Sequence, residues 1–65
     1  MSASNLFIVM LENSQSEQLP ISIFLTQAVF SGIVTNIYPE FAEIREHSGK
    51  RSVIALHKIE AIQTT

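Results

Sequence analysis

Cysteine is absent from this 65-residue chain. That excludes a disulfide framework and any thiolate-bound metal. Aspartate is also missing, and the only histidines are His47 and His57. A Ser-His-Glu arrangement can be drawn, but nothing fixes a nucleophile or an oxyanion hole. There is no zinc-ligand spacing and no glycine loop of the kind that cradles phosphate. The expectation is a protein that is not an enzyme and uses neither metal nor cofactor. Bases are scarce as well: Arg45, Lys50, Arg51 and Lys58, all in the second half, stand against six acids for a net charge of −2. A typical nucleic-acid binder carries a basic stripe. Here any such affinity must come from a few placed residues, multiplied by copies. Long hydrophobic runs are lacking too. "LFIVML" (6–11) is six apolar residues without a basic flank, too short for a membrane span or for a signal peptide's apolar core. The expected setting is cytoplasmic, with no membrane contact.

What is present is apolar substance out of proportion to size. Hydrophobic residues make up 46% of the chain, yet a domain this small buries a limited fraction of its surface and is marginal alone. Burial between identical subunits resolves the mismatch, so self-association is expected before any motif is considered. The chain reads as a single domain over 1–65, with no repeats, low-complexity segment or linker.

The opening "SASNLFIVMLENSQSEQ" begins with Ser and Asn, which favour helix N-caps, followed by an apolar block and a polar tail. It reads as a helix over 4–16. Ile8 and Val9 are β-branched and favour the rival, an N-terminal strand. From Pro20 the period changes to two. In "PISIFLT", Ile21, Ile23 and Leu25 face one way, and Ser22, Phe24 and Thr26 the other. "VFSGIVTNIY" is a second strand, and Gly32 within it marks a bend, a bulge or a close backbone approach. "FAEIREH" is a third strand, "SGK" a hairpin turn, "RSVIAL" a fourth strand, His57-Lys58 a short corner and "IEAIQ" a fifth strand, with a loose "TT" end. The fold class is therefore mainly β with one short N-terminal helix. Five short strands over 20–63 form a strongly bent antiparallel sheet, a small open barrel. Such a barrel leaves edges to be managed. The last two strands are short and apolar, and are expected to pair with a neighbouring copy.

This order resembles the Sm-like (LSm) family, nearest to its bacterial RNA-binding branch. "LPISIFLTQAVFSG" is similar to the family's first motif, "IYPEF" to the segment ending in a base-stacking Phe, and "LHKIEAI" to the second motif. The resemblance covers roughly Leu6 to Gln63. Departures are specific. Gln27-Ala28 stands where the family has Asn-Gly or Asp-Gly, and Gly32 falls one residue early. The acid that commonly precedes the stacking aromatic is displaced, with Pro39-Glu40 before Phe41; Leu56-His57, followed by Lys58, replaces Lys-His, and the basic patch at the helix end is replaced by "NSQSEQ". The resemblance implies a homo-oligomeric ring of roughly five to seven copies joined through strands four and five. It also implies single-stranded U-rich or A/U-rich RNA around the pore.

In that picture Phe41 stacks on a base, His57 hydrogen-bonds and Lys58 neutralises phosphate. Tyr38 is a second ring of the same loop, or packs at the subunit seam. On residue type alone Phe41 is a core aromatic, His57 a structural corner and Lys58 a solvated charge. A second face comprises Phe24, Val29 and Phe30, with packing beneath the helix or at a subunit contact as the plainer reading. Arg45, Lys50 and Arg51, around the hairpin between strands three and four, could touch RNA outside the pore; the preferred reading is a solvated hairpin, with Arg45 flanked by Glu43 and Glu46. The alternative function, which fits the acidic balance and Leu56 in the corner, is a ring serving as a protein-interaction or structural hub.

Overall fold

A computed structural model describes residues 3–64, with side chains from residue 6; Met1, Ser2 and Thr65 lie outside the described residues. The elements are α1 (Ala3–Glu17), β1 (Ile21–Phe24), β2 (Val29–Ile37), β3 (Phe41–Arg45), β4 (Arg51–Ala55), a 3₁₀ turn (Leu56–Lys58) and β5 (Ala61–Thr64). The helix prevails over the rival strand because its inward residues fall three to four apart. Leu11 and Ser14 are buried, with Phe7 and Ile8 packed against the core. It stops in a Schellman arrangement: Gln18 takes the left-handed conformation at φ 58°, and the Leu19 N–H returns to the Ser14 carbonyl at 3.1 Å.

The strands form one antiparallel sheet in the order β4-β3-β2-β1-β5, so β4 and β5 are its two edges. β2 carries the bend. Its first half, Val29 to Gly32, pairs with β1, and its second half, from Ile33, pairs with β3. Gly32 sits at the switch for a steric reason, since a Cβ there would lie 2.4 Å from the Arg45 carbonyl oxygen. The close approach expected from this glycine is present. The bulge is elsewhere, at Thr35, where two steps of β2 oppose one of β3 between the pairs Val34–Ile44 and Asn36–Glu43. A bulge bends its strand and increases local twist.

The helix braces this bend. The Ser14 hydroxyl accepts from the buried Val34 N–H at 3.1 Å and donates to the Leu19 carbonyl at 2.6 Å. The Gln15 amide donates to the carbonyl of the bulged Thr35 at 2.9 Å. On the other side of the sheet, the Thr35 hydroxyl and Asn36 amide both reach Glu43 Oε1 at 2.8 Å.

The core is wholly aliphatic: Leu11, Ile21, Ile23, Val34, Ala42, Ile44, Ile54 and Ile59. Alternation in β1 and β3 delivers Ile21, Ile23, Ala42 and Ile44 to it, as the period-two pattern requires. The Ser48-Gly49 turn closes β3 onto β4, with Gly49 at φ 93° and its N–H bonded to the Glu46 carbonyl. The fifth strand starts later than its sequence suggests, at Ala61. Ile59 is drawn inward at the end of the 3₁₀ turn, and Thr64 is part of the strand rather than a loose end. No described helix is long and apolar enough to cross a membrane.

Candidate functional site

All five aromatic rings lie outside the fully buried core. Phe41 is 47% exposed and Tyr38 49%. Phe41 begins β3 opposite Ala55, the last residue of β4. The tight loop before it is closed by the Tyr38 N–H donating to the Phe41 carbonyl at 2.8 Å. Pro39 fits such a loop because it fixes φ and has no N–H to satisfy.

The chain then turns through Leu56, His57 and Lys58 into β5. This corner is fastened to the aromatic loop by one backbone bond, from the Leu56 N–H to the Glu40 carbonyl at 2.9 Å, and is closed by the Ile59 N–H to the Leu56 carbonyl at 3.2 Å. Tyr38, Phe41, His57 and Lys58 are thus gathered at one end of the fold, and all four are exposed.

They do not share one cleft within the chain. His57, Leu56, Pro39 and Glu40 line a cleft of about 300 Å³ whose far wall is Phe7 and Ile8 of α1. Lys58 lines a different cleft of about 440 Å³, with Leu25 to Ala28 of the β1–β2 turn. Adjacent in sequence, the two residues of the corner line different clefts. The Lys58 side is held by the Glu60 N–H donating to the Phe24 carbonyl at 2.8 Å, and by a short hydrogen bond from the Thr26 hydroxyl to Glu60 Oε2. Sequence reasoning did not find the apolar wall formed by Phe7 and Ile8. Their spacing marks them as core-facing, and nothing local ties them to a corner fifty residues on.

The second face divides likewise. Phe24 pairs with Val29 across the β1–β2 ladder, whereas Phe30 pairs with the buried Ile23. Val29 is 57% exposed and Phe24 half-buried, while Phe30 turns inward against the core. Among ionisable groups, Glu43 departs from ordinary behaviour. Its carboxyl is held below the usual glutamate range, first by the Asn36 amide, then by the Thr35 hydroxyl, with Arg51 adding a smaller attraction. Among the described residues, no group of three or more metal-ligating side chains could hold a metal ion.

No protein-family model matches the sequence, and no curated protein matches it. Among solved structures, the chain is similar to a crystal structure of the pleiotropic translational regulator Hfq, with a TM-score of 0.80 at 18% identity. The match covers 100% of this chain and 98% of that one. A helix followed by five antiparallel strands in an unclosed sheet, superposing on Hfq over its whole length, gives this chain an Sm-like, Hfq-like fold.

Proposed function

We propose that this protein assembles into a homo-oligomeric ring of roughly five to seven copies and binds short single-stranded RNA, U-rich or A/U-rich, around the pore. The observation that carries this reading is the fastened corner. The Leu56–Glu40 bond ties the corner that carries His57 to the loop that leads into Phe41, and the corner lies between the two strands that are the sheet's edges. Edge strands left open invite pairing with another chain. Joining β4 of one copy to β5 of the next is a head-to-tail contact, which closes into a ring when the rotation permits. Every copy then repeats the corner around the axis.

In that assembly the exposed Phe41 ring stacks on a base, an interaction of about 1–3 kcal/mol. His57 hydrogen-bonds to a base edge or phosphate, and Tyr38 lies beside it as a second ring. Lys58 neutralises phosphate from the turn-side cleft. One such pocket is weak, and repetition around a ring supplies avidity. The outward pair Phe24 and Val29 forms a weaker second face, with Phe30 supporting it from within. The function is binding rather than catalysis, in the cytoplasm. Titrating labelled oligo-U against the Phe41→Ala variant tests this. Affinity should fall about tenfold or more, within the stacking range above, while the ring stays assembled. Disassembly of the variant would make Phe41 a structural residue instead.

A protein-interaction hub is the second reading. The outer side of α1 favours it: Leu6 and Val9 are 61% and 49% exposed, and the helix carries Glu12 and Glu17 but no base. Partners retained from lysate after RNase treatment, with no oligonucleotide binding, would select this reading.

A further inference from the structure

Two arginines face each other across the β3–β4 ladder, where Arg45 is the register partner of Arg51. Directly opposed residues hold their Cβ atoms about 4.5–5.5 Å apart, and like charges there are destabilising. The surrounding acids relieve the conflict only in part. Glu43 shares the face and attracts Arg51, but only as the smallest influence on its carboxyl, whose Oε1 is turned to Thr35 and Asn36. Glu46 accepts from the Ser52 hydroxyl at 3.2 Å. Both arginines are exposed, and Lys50 adjoins Arg51. A groove of about 280 Å³ runs beside Arg45, lined by Ser31, Gly32, Ile33, Glu46 and His47 among others. Ile33 is Arg45's partner in β2, which puts the groove's apolar wall on the arginine side of the sheet.

We propose that Arg45 and Arg51 form a second RNA contact, on the outer face of β3–β4, where one phosphodiester bridges the two guanidiniums and the adjoining base lies in the groove against Ile33. Guanidinium groups bind phosphate through paired, charge-assisted hydrogen bonds, and an anion between them turns a repulsive pair into an attractive triad. A charge pair beside a flat, partly apolar groove matches the phosphate-plus-ring pattern of a nucleotide. A carboxylate side chain has no ring to fill the groove. The inference extends the RNA reading above: a strand longer than the pore segment continues onto this face.

The test compares oligo-U of about 6 and about 18 nucleotides, bound by the wild-type protein, by Arg45→Gln/Arg51→Gln, by Arg45→Lys/Arg51→Lys and by Phe41→Ala. The wild type should bind the longer strand more tightly. The Gln pair should remove that gain and lower the salt slope by about 0.7 per engaged subunit, for the one phosphate no longer neutralised. It should leave the short oligonucleotide unaffected and melt at the same or a higher temperature, since a repulsion is gone. The Lys pair should keep most of the salt slope. Unchanged long-strand binding in the Gln pair overturns the proposal. So does a lowered melting temperature with equal loss of both probes, or equally strong arginine-dependent binding of polyglutamate. Binding of neither probe by the wild type defeats this inference and the pore reading together. Arginine-dependent long-strand binding that ignores Phe41→Ala upholds the arginine site and defeats the pore site alone.

Discussion

Replacing Ser14 by Ala removes one oxygen from the joint between helix and bent sheet. That oxygen serves two backbone groups, the Val34 N–H at 3.1 Å and the Leu19 carbonyl at 2.6 Å. The two losses are unequal. Leu19 is 48% exposed, so water can replace the hydroxyl at its carbonyl. Val34 is fully buried, and its N–H has nowhere else to turn. An unsatisfied buried donor costs about 1–3 kcal/mol, and alanine's better helix propensity returns no more than about 0.5 kcal/mol. With the full return the net loss is about 0.5–2.5 kcal/mol, from a total stability of about 3–10 kcal/mol for a chain of this length. At about 4–8 °C per kcal/mol for a small domain, the melting temperature should fall by roughly 2–20 °C. The assay is thermal unfolding followed by circular dichroism, at one protein concentration and after confirming equal assembly. Ser16→Ala is the control. That hydroxyl is exposed and makes a long 3.4 Å bond to the Asn13 carbonyl, so its loss should stay within about 0.5 kcal/mol. Equal melting of Ser14→Ala and wild type, or an equal fall in the Ser16 control, would refute the reasoning.

Gly32→Ala should destabilise by about 1–3 kcal/mol or more, because its Cβ meets backbone rather than a movable side chain; chemical denaturation checks it, and a neutral variant would contradict the steric account. Glu43 makes a signed prediction with pH. Its carboxyl is depressed in the folded protein, so its stabilisation is complete above the unfolded value of about 4.3. That stabilisation is lost as pH falls from there through the folded value. Glu43→Gln should therefore flatten the acid side of the stability curve relative to wild type, and parallel curves would count against the Thr35–Asn36–Glu43 cluster.

The parts of the fold that were legible in the sequence are those with a local signal. Alternation from Pro20 onward placed Ile21, Ile23, Ala42 and Ile44 inside, and Gly49 marked the hairpin. Ile59 misled because a β-branched residue beside a charged one resembles a strand start, whereas the 3₁₀ turn draws it into the core. The bulge at Thr35 had no signal, since it is stabilised by Ser14 and Gln15 some twenty residues away. The same holds for the site. Gathering Tyr38, Phe41 and the His57 corner at one end follows from the order of strands. The division of His57 and Lys58 between two clefts depends on the path of a three-residue turn. The Arg45–Arg51 opposition depends on register, which the residue types around the hairpin left open.

The central claim is a ring that holds RNA at the repeated corner. Native mass spectrometry of the purified protein with a short oligo-U at low salt tests it most directly. One closed oligomer, of roughly five to seven copies, carrying a single oligonucleotide is the expected result. A closed oligomer that never carries one would contradict the RNA site and leave only the assembly, and a monomer under the same conditions would contradict both.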